Sequence, residues 1–151
     1  MRFFYSILFT LIITSNAVAA IKPEHQKIAD QLLSGDLVTL KLAAKTLYRQ
    51  EVSDPAIIDI AAEVLLRMYK DAYAAEIDTL AWVARAIGAS DNGRYFVALT
   101  EVKNNSSSRK LVKYALDARD ELYNRGGPQY QAGMYQLPEG IYARDTDVTS
   151  N

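Results

Sequence analysis

The stretch Leu37-Val38-Thr39-Leu40-Lys41-Leu42-Ala43-Ala44-Lys45-Thr46-Leu47 decides the fold. Leu37, Leu40, Ala44 and Leu47 follow one another at intervals of three, four and three, which places all four on one side of an α-helix. Forty residues on, the same spacing returns in Ile77, Leu80, Ala84 and Ile87. A third copy, Leu111, Ala115, Ala118 and Leu122, shares its register with Leu80 and Ala84 at an offset of 31. A helix that recurs with its apolar stripe intact is a repeated unit.

The residues between the copies predict a companion helix. Ile57, Ile58, Ala61, Glu63 and Val64 recur as Tyr95, Phe96, Leu99, Glu101 and Val102 at an offset of 38, so the companion repeats as well. Leu65 and Met68 extend its buried side, and Ile28 with Leu32 marks a shorter helix upstream, opened by Pro23. Breaks fall where their chemistry demands. Ser34-Gly35-Asp36 reads as a helix stop followed by a new N-cap, and Asp54-Pro55 as a cap with proline in the first helical position. Each helical pair is too small to bury its own apolar side, so the pairs must stack. The expectation is an all-α domain over residues 20–124, a short right-handed α-solenoid of antiparallel helix pairs.

The small-residue pattern from Leu40 to Leu47, its echo Leu80-Ala81-Trp82-Val83-Ala84-Arg85-Ala86-Ile87, and the turns bearing Asp54 and Asp91 resemble HEAT repeats of the short bacterial type. The resemblance covers residues 31–122. It implies a binding surface or scaffold, since such arrays mostly serve that role. A TPR-like array is the rival, less suited to the uneven offsets. Some HEAT-like proteins also resemble lyases that load pigment chromophores. That alternative implies a cleft lined by Trp82, Tyr95 and Asp91 that takes a tetrapyrrole or a similar small ligand.

The N-terminus begins Met-Arg, runs apolar from Phe3 to Thr14, and reaches small residues at Ala17-Val18-Ala19-Ala20. This is the pattern of a secretory signal peptide over residues 1–19, cut after Ala19 or Ala20, and the apolar run falls short of the roughly 20 residues that cross a bilayer. The expectation is a periplasmic or secreted protein without a membrane span after cleavage. Removing residues 1–19 takes away one basic residue, leaving 16 basic against 18 acidic groups. Such a balance argues against a nucleic-acid-coating protein, which needs surplus Lys and Arg. With no cysteine among the 151 residues, thiol chemistry is excluded and the core must hold by packing. Past Leu122 the periodicity ends at Arg125-Gly126-Gly127-Pro128, and residues 125–151 read as a flexible tail, with the alternative that Tyr130 to Tyr142 lies across the last repeat or a partner.

None of the usual catalytic signatures is present: no nucleophile elbow, phosphate loop, paired zinc histidines or dinucleotide fingerprint. The expectation is therefore a non-enzyme without cofactor or metal, binding an envelope protein or peptide. His25, the single histidine, reads as an exposed surface residue. Trp82 lies nearly opposite the stripe of its helix and needs a second contact surface, either a neighbouring repeat or a partner. Ser106-Ser107-Ser108 precedes Arg109, Lys110 and Lys113, cations at a helix start where the macrodipole already favours negative charge. With Arg94 from the preceding turn they suggest a site for an anion or acidic partner. The ridge Lys41, Lys45 and Arg49 is expected to meet acidic residues of adjoining helices. The candidate partner-binding residues are thus Trp82, Arg94, Tyr95, Arg109, Lys110 and Lys113.

Overall fold

The computed structural model describes residues 20–143; the expected signal peptide lies outside them. Every regular element among the described residues is helical: α1 (Gln26–Leu32), α2 (Leu37–Gln50), α3 (Pro55–Met68), α4 (Ala74–Ala89), α5 (Phe96–Asn105) and α6 (Arg109–Glu121), with 3₁₀ turns at Pro23–His25 and Gly93–Tyr95.

The helix starts follow from their caps. Asp36 accepts the Thr39 N–H at 2.7 Å, Asp54 accepts that of Ala56 at 3.1 Å with Pro55 opening α3, and Ser108 accepts that of Leu111 at 3.3 Å. Each side chain satisfies a donor the first turn leaves unpaired. At α4 the arrangement is reversed: the Glu76 carboxylate reaches back to the Tyr73 N–H at 2.8 Å. Gly35 takes a positive φ of 74° between α1 and α2, a backbone only glycine adopts freely.

The stripes face inward as their spacing requires. Leu40, Ala44, Leu47, Leu80, Ala84, Ile87, Leu111, Ala115, Ala118 and Leu122 are all buried, with Leu37 and Ile77 partly so. Helix α2 lies against α4 and α4 against α6, while α1 lies against α3 and α3 against α5. The two sets are joined by α1 on α2, α3 on α4 and α5 on α6. The spatial pairs are therefore phased one helix earlier than the sequence repeat suggests: α3 packs on the helix that follows it, and barely touches α2. Helix α3 is enclosed on several sides and is apolar nearly all round, Ile57, Ile58, Ile60, Ala61, Ala62, Val64 and Leu65 being fully buried.

Residues 125–143 correct the expectation of a tail separate from the helices. Tyr130 is fully buried, Tyr135, Leu137 and Tyr142 pack against the core, and the Tyr142 hydroxyl donates to the Leu32 carbonyl at 2.9 Å. The segment leaves α6, crosses the start of α5 and then α3, and ends beside α1. Single aromatic side chains anchor it, so no periodic pattern announced it. Residues 144–151 lie outside the described residues.

Candidate functional site

Two clusters of functional side chains emerge, on different sides of the molecule. The first lies beneath residues 128–142. Asp59 and Glu63, one turn apart on α3, are the carboxylates of a helix whose only other charged residue is Arg67 in its last turn. Asp59 receives Arg94 through Nε at 3.0 Å and Nη2 at 3.2 Å, and the Tyr95 hydroxyl at 2.8 Å. Glu63, only 7% exposed, receives the Tyr130 hydroxyl at 2.6 Å and the Gly133 N–H at 2.9 Å. Its repeat counterpart Glu101 receives the Tyr69 hydroxyl at 2.9 Å. Both glutamates thus take a tyrosine hydroxyl, though from tyrosines at non-equivalent places in the chain. Burial holds the Tyr95 and Tyr130 phenols far above their ordinary range, and the adjacent Asp59 and Glu63 charges push the same way. These tyrosines remain donors at any physiological pH.

This cluster corrects the place given to two candidate residues. Arg94 is a fork on Asp59 whose guanidinium also lies 5.4 Å from the Tyr130 ring, and Tyr95 is fully buried. Both tie the 3₁₀ turn before α5 to α3, and the Arg94 side chain remains 27% exposed. His25 is likewise not an exposed residue: its Nδ1 lies 3.2 Å from Asp54, with the two side chains 17% and 11% exposed.

The second cluster lies on the outward side of α2, α4 and α6. Trp82 meets Tyr48 of α2 edge to face at 5.7 Å between centroids, which supplies the second contact surface its helical position demands. The Arg85 guanidinium stands 4.1 Å from the Trp82 ring, 4.5 Å from Tyr48 and 5.7 Å from Tyr114 of α6, and Lys45 Nζ lies 5.0 Å from Trp82. Cation–ring contacts of this kind contribute about 0.5–1 kcal/mol each at exposed sites and favour the observed side-chain arrangement. A cleft of about 250 Å³ opens between Tyr48, Arg85, Tyr114, Asp117 and Glu121. Burial raises the Glu121 carboxyl, Arg85 opposes this and Asp117 adds to it.

One turn toward the start of α4, Asp78 is held between Lys110 of α6 and Lys41 of α2. Lys110 and then Lys41 hold its carboxyl down at about 2. The ridge lysine Lys41 thus meets an acidic residue of the adjoining helix, as expected, and the anion that Lys110 attracts is the protein's own. Arg109 and Lys113 remain exposed beside it. Two large aliphatic side chains complete this side, Val38 at 77% exposure and Leu42 at 52%.

Trp82, Tyr95 and Asp91 do not come together: their neighbours are Tyr48 with Arg85, Asp59, and Arg125 respectively. Among the described residues no group of three His, Cys, Asp or Glu is placed to hold a metal, and no helix is long and apolar enough to cross a membrane. No family model, curated protein or solved structure matches the chain.

Proposed function

We propose that the protein is an exported HEAT-like scaffold, a short right-handed α-solenoid that acts without catalysis by binding another envelope protein or peptide. The succession α2, α4, α6 beside α1, α3, α5 supports the stacked-pair reading, because in such an array each unit touches mainly its neighbours. The pattern of residues 1–19 supports export. The observation that carries the binding role is the fixed aromatic and cationic cluster on the outward side of α2, α4 and α6. Trp, Tyr and Arg are the residues that anchor interfaces, and here Trp82, Arg85, Tyr48 and Tyr114 are already locked against one another, so little side-chain entropy remains to be lost on binding. Exposed Val38 and Leu42 add apolar area. Lys41 and Lys110 hold Asp78 while Lys45 lies over Trp82, Lys113 over Tyr114 and Arg109 is exposed, a surplus of cations on α2 and the start of α6 that favours an acidic partner.

The test is site-specific photocrosslinking in cells. A crosslinker at Leu42 or Lys113 should capture one discrete partner, whereas one at Val97 on α5 should not. Capture should fall at least tenfold in a Lys110→Glu, Lys113→Glu double variant whose helix content matches the parent. Equal capture from all three positions, or capture indifferent to the charge reversals, would remove this side from the binding role.

A further inference from the structure

Residues 128–142 are held by a small number of specific contacts. The Tyr130 N–H donates to the Arg94 carbonyl at 2.7 Å, its ring is fully buried, and its hydroxyl ends on Glu63. Three residues on, the Gly133 N–H meets the same carboxylate. The far end is fixed by the Tyr142 hydroxyl on Leu32. Between these anchors Gln131, Ala132, Gln136, Pro138 and Glu139 are exposed. We infer that the side formed by α1, α3 and α5 is a binding site for peptide segments of the form Tyr-x-x-Gly that turn at the glycine, and that the chain's own residues 128–142 fill it as an exchangeable internal ligand.

Three features separate this segment from an ordinary part of the core. It contains no helix or strand, so releasing it breaks individual side-chain anchors and not a cooperative ladder; such segments open at a fraction of the global unfolding free energy. Part of the floor beneath it is polar: Asp59, Glu63 and Arg94 can take water when the segment leaves, while Tyr130, Tyr135 and Leu137 cover the adjoining apolar core. Opening replaces the hydroxyl and the N–H that Glu63 accepts with water, and a segment bearing the same two donors restores those hydrogen bonds in the water-poor site, where they are stronger. The vacated site therefore selects a replacement with a tyrosine hydroxyl and, three residues later, an N–H turned toward the same carboxylate. Gly133 presents that N–H at a φ of 86° with open space around its Cα. The glycine is required for its backbone conformation and not for room. At the far end, Tyr142 holds a left-handed φ of 55°, unfavourable for so large a side chain, which further weakens the internal occupant relative to a relaxed one.

The inference is independent of the role proposed for the α2, α4 and α6 side, and its test does not involve Trp82. The probe is a fluorescent synthetic peptide of residues 128–143, titrated by anisotropy against the full chain. The wild type should bind it weakly, because the tethered segment competes at an effective concentration on the order of millimolar. Tyr130→Ala should bind at least tenfold more tightly and melt at higher temperature with peptide present. A peptide carrying Tyr130→Phe or Gly133→Ala, or a protein carrying Glu63→Gln together with Tyr130→Ala, should lose that gain. If Tyr130→Ala does not fold, Tyr130→Phe, which removes one oxygen, carries the same comparison with a smaller gain of about threefold. A folded variant that binds no better than wild type, a Phe peptide that binds as well as the Tyr peptide, or failure of both variants to fold even with peptide would overturn the inference.

Discussion

Gly88→Ala sets two physical effects of opposite sign against each other. Gly88 is near the end of α4, and a helical Gly→Ala exchange on its own stabilises by about 1 kcal/mol through propensity. A Cβ built at Gly88, however, would lie 2.8 Å from both Cα and Cβ of Ala118 on α6 and 2.9 Å from Glu121 Oε2. The Glu121 side chain can swing aside. The Ala118 backbone cannot, so α4 and α6 must separate by several tenths of an ångström along a contact lined by Ala84, Ile87, Ala115 and Ala118. Overpacking of this kind costs about 1–3 kcal/mol. The expected balance is a net loss of up to about 2 kcal/mol, centred near 1, or a fall of about 3 °C in melting temperature at that centre for a domain of this size. Urea unfolding followed by circular dichroism at 222 nm reads it directly. A variant more stable than the parent would mean that propensity wins unopposed, and that α4 and α6 do not approach each other at this point.

Gly93→Ala should act on the segment after α6, since its Cβ would stand 2.4 Å from the Gly126 carbonyl oxygen and 2.7 Å from the Arg125 backbone; limited proteolysis should show new cleavage within residues 125–133 and a stability loss of about 1–3 kcal/mol. Asp78 links pH to the α2, α4 and α6 contact. Its carboxyl falls from 3.8 to about 2 in the folded protein, so its contribution is complete above pH 3.8 and is lost as pH drops through about 2. With the carboxyl 42% exposed, solvent screening limits that contribution to roughly 1 kcal/mol or less. Asp78→Asn should accordingly lower the urea midpoint at pH 5 while leaving it unchanged near pH 1.5.

The helices were legible because burial imposes a period on a short window of sequence. Leu40, Ala44 and Leu47 needed only one another to be read as a stripe, and Asp36 and Asp54 announced their caps through residue type and the adjoining turn residues. The side chains that tie the helices together are another matter. Tyr130 meets Glu63 across 67 residues, Arg94 meets Asp59 across 35 and Lys110 meets Asp78 across 32, and no local window holds both partners. A signal for the first cluster was nevertheless present. Asp59 and Glu63, one turn apart on a helix made mostly of Ile, Ala, Val and Leu, must find donors, and a carboxylate inside such a helix points to tyrosine or arginine elsewhere in the chain. The segment carrying Tyr130 was read as a tail because its Gly, Pro and Gln composition has no period, whereas one buried and two partly buried rings, Tyr130, Tyr135 and Tyr142, hold it down. Trp82 was read correctly as needing a second surface; that Tyr48 and Arg85 provide it depended on how α2 and α4 align.

The stacking of α2, α4 and α6 is tested most directly by a short amine-reactive crosslinker on the isolated monomer. Lys41 and Lys110 bind the two oxygens of the Asp78 carboxylate, so their amines stand only a few ångströms apart although α4 lies between their helices. Mass spectrometry should find a Lys41–Lys110 crosslink within a single chain, reduced in Asp78→Asn. Its absence, or its appearance only between differently isotope-labelled copies, would contradict the arrangement on which the proposed binding side depends.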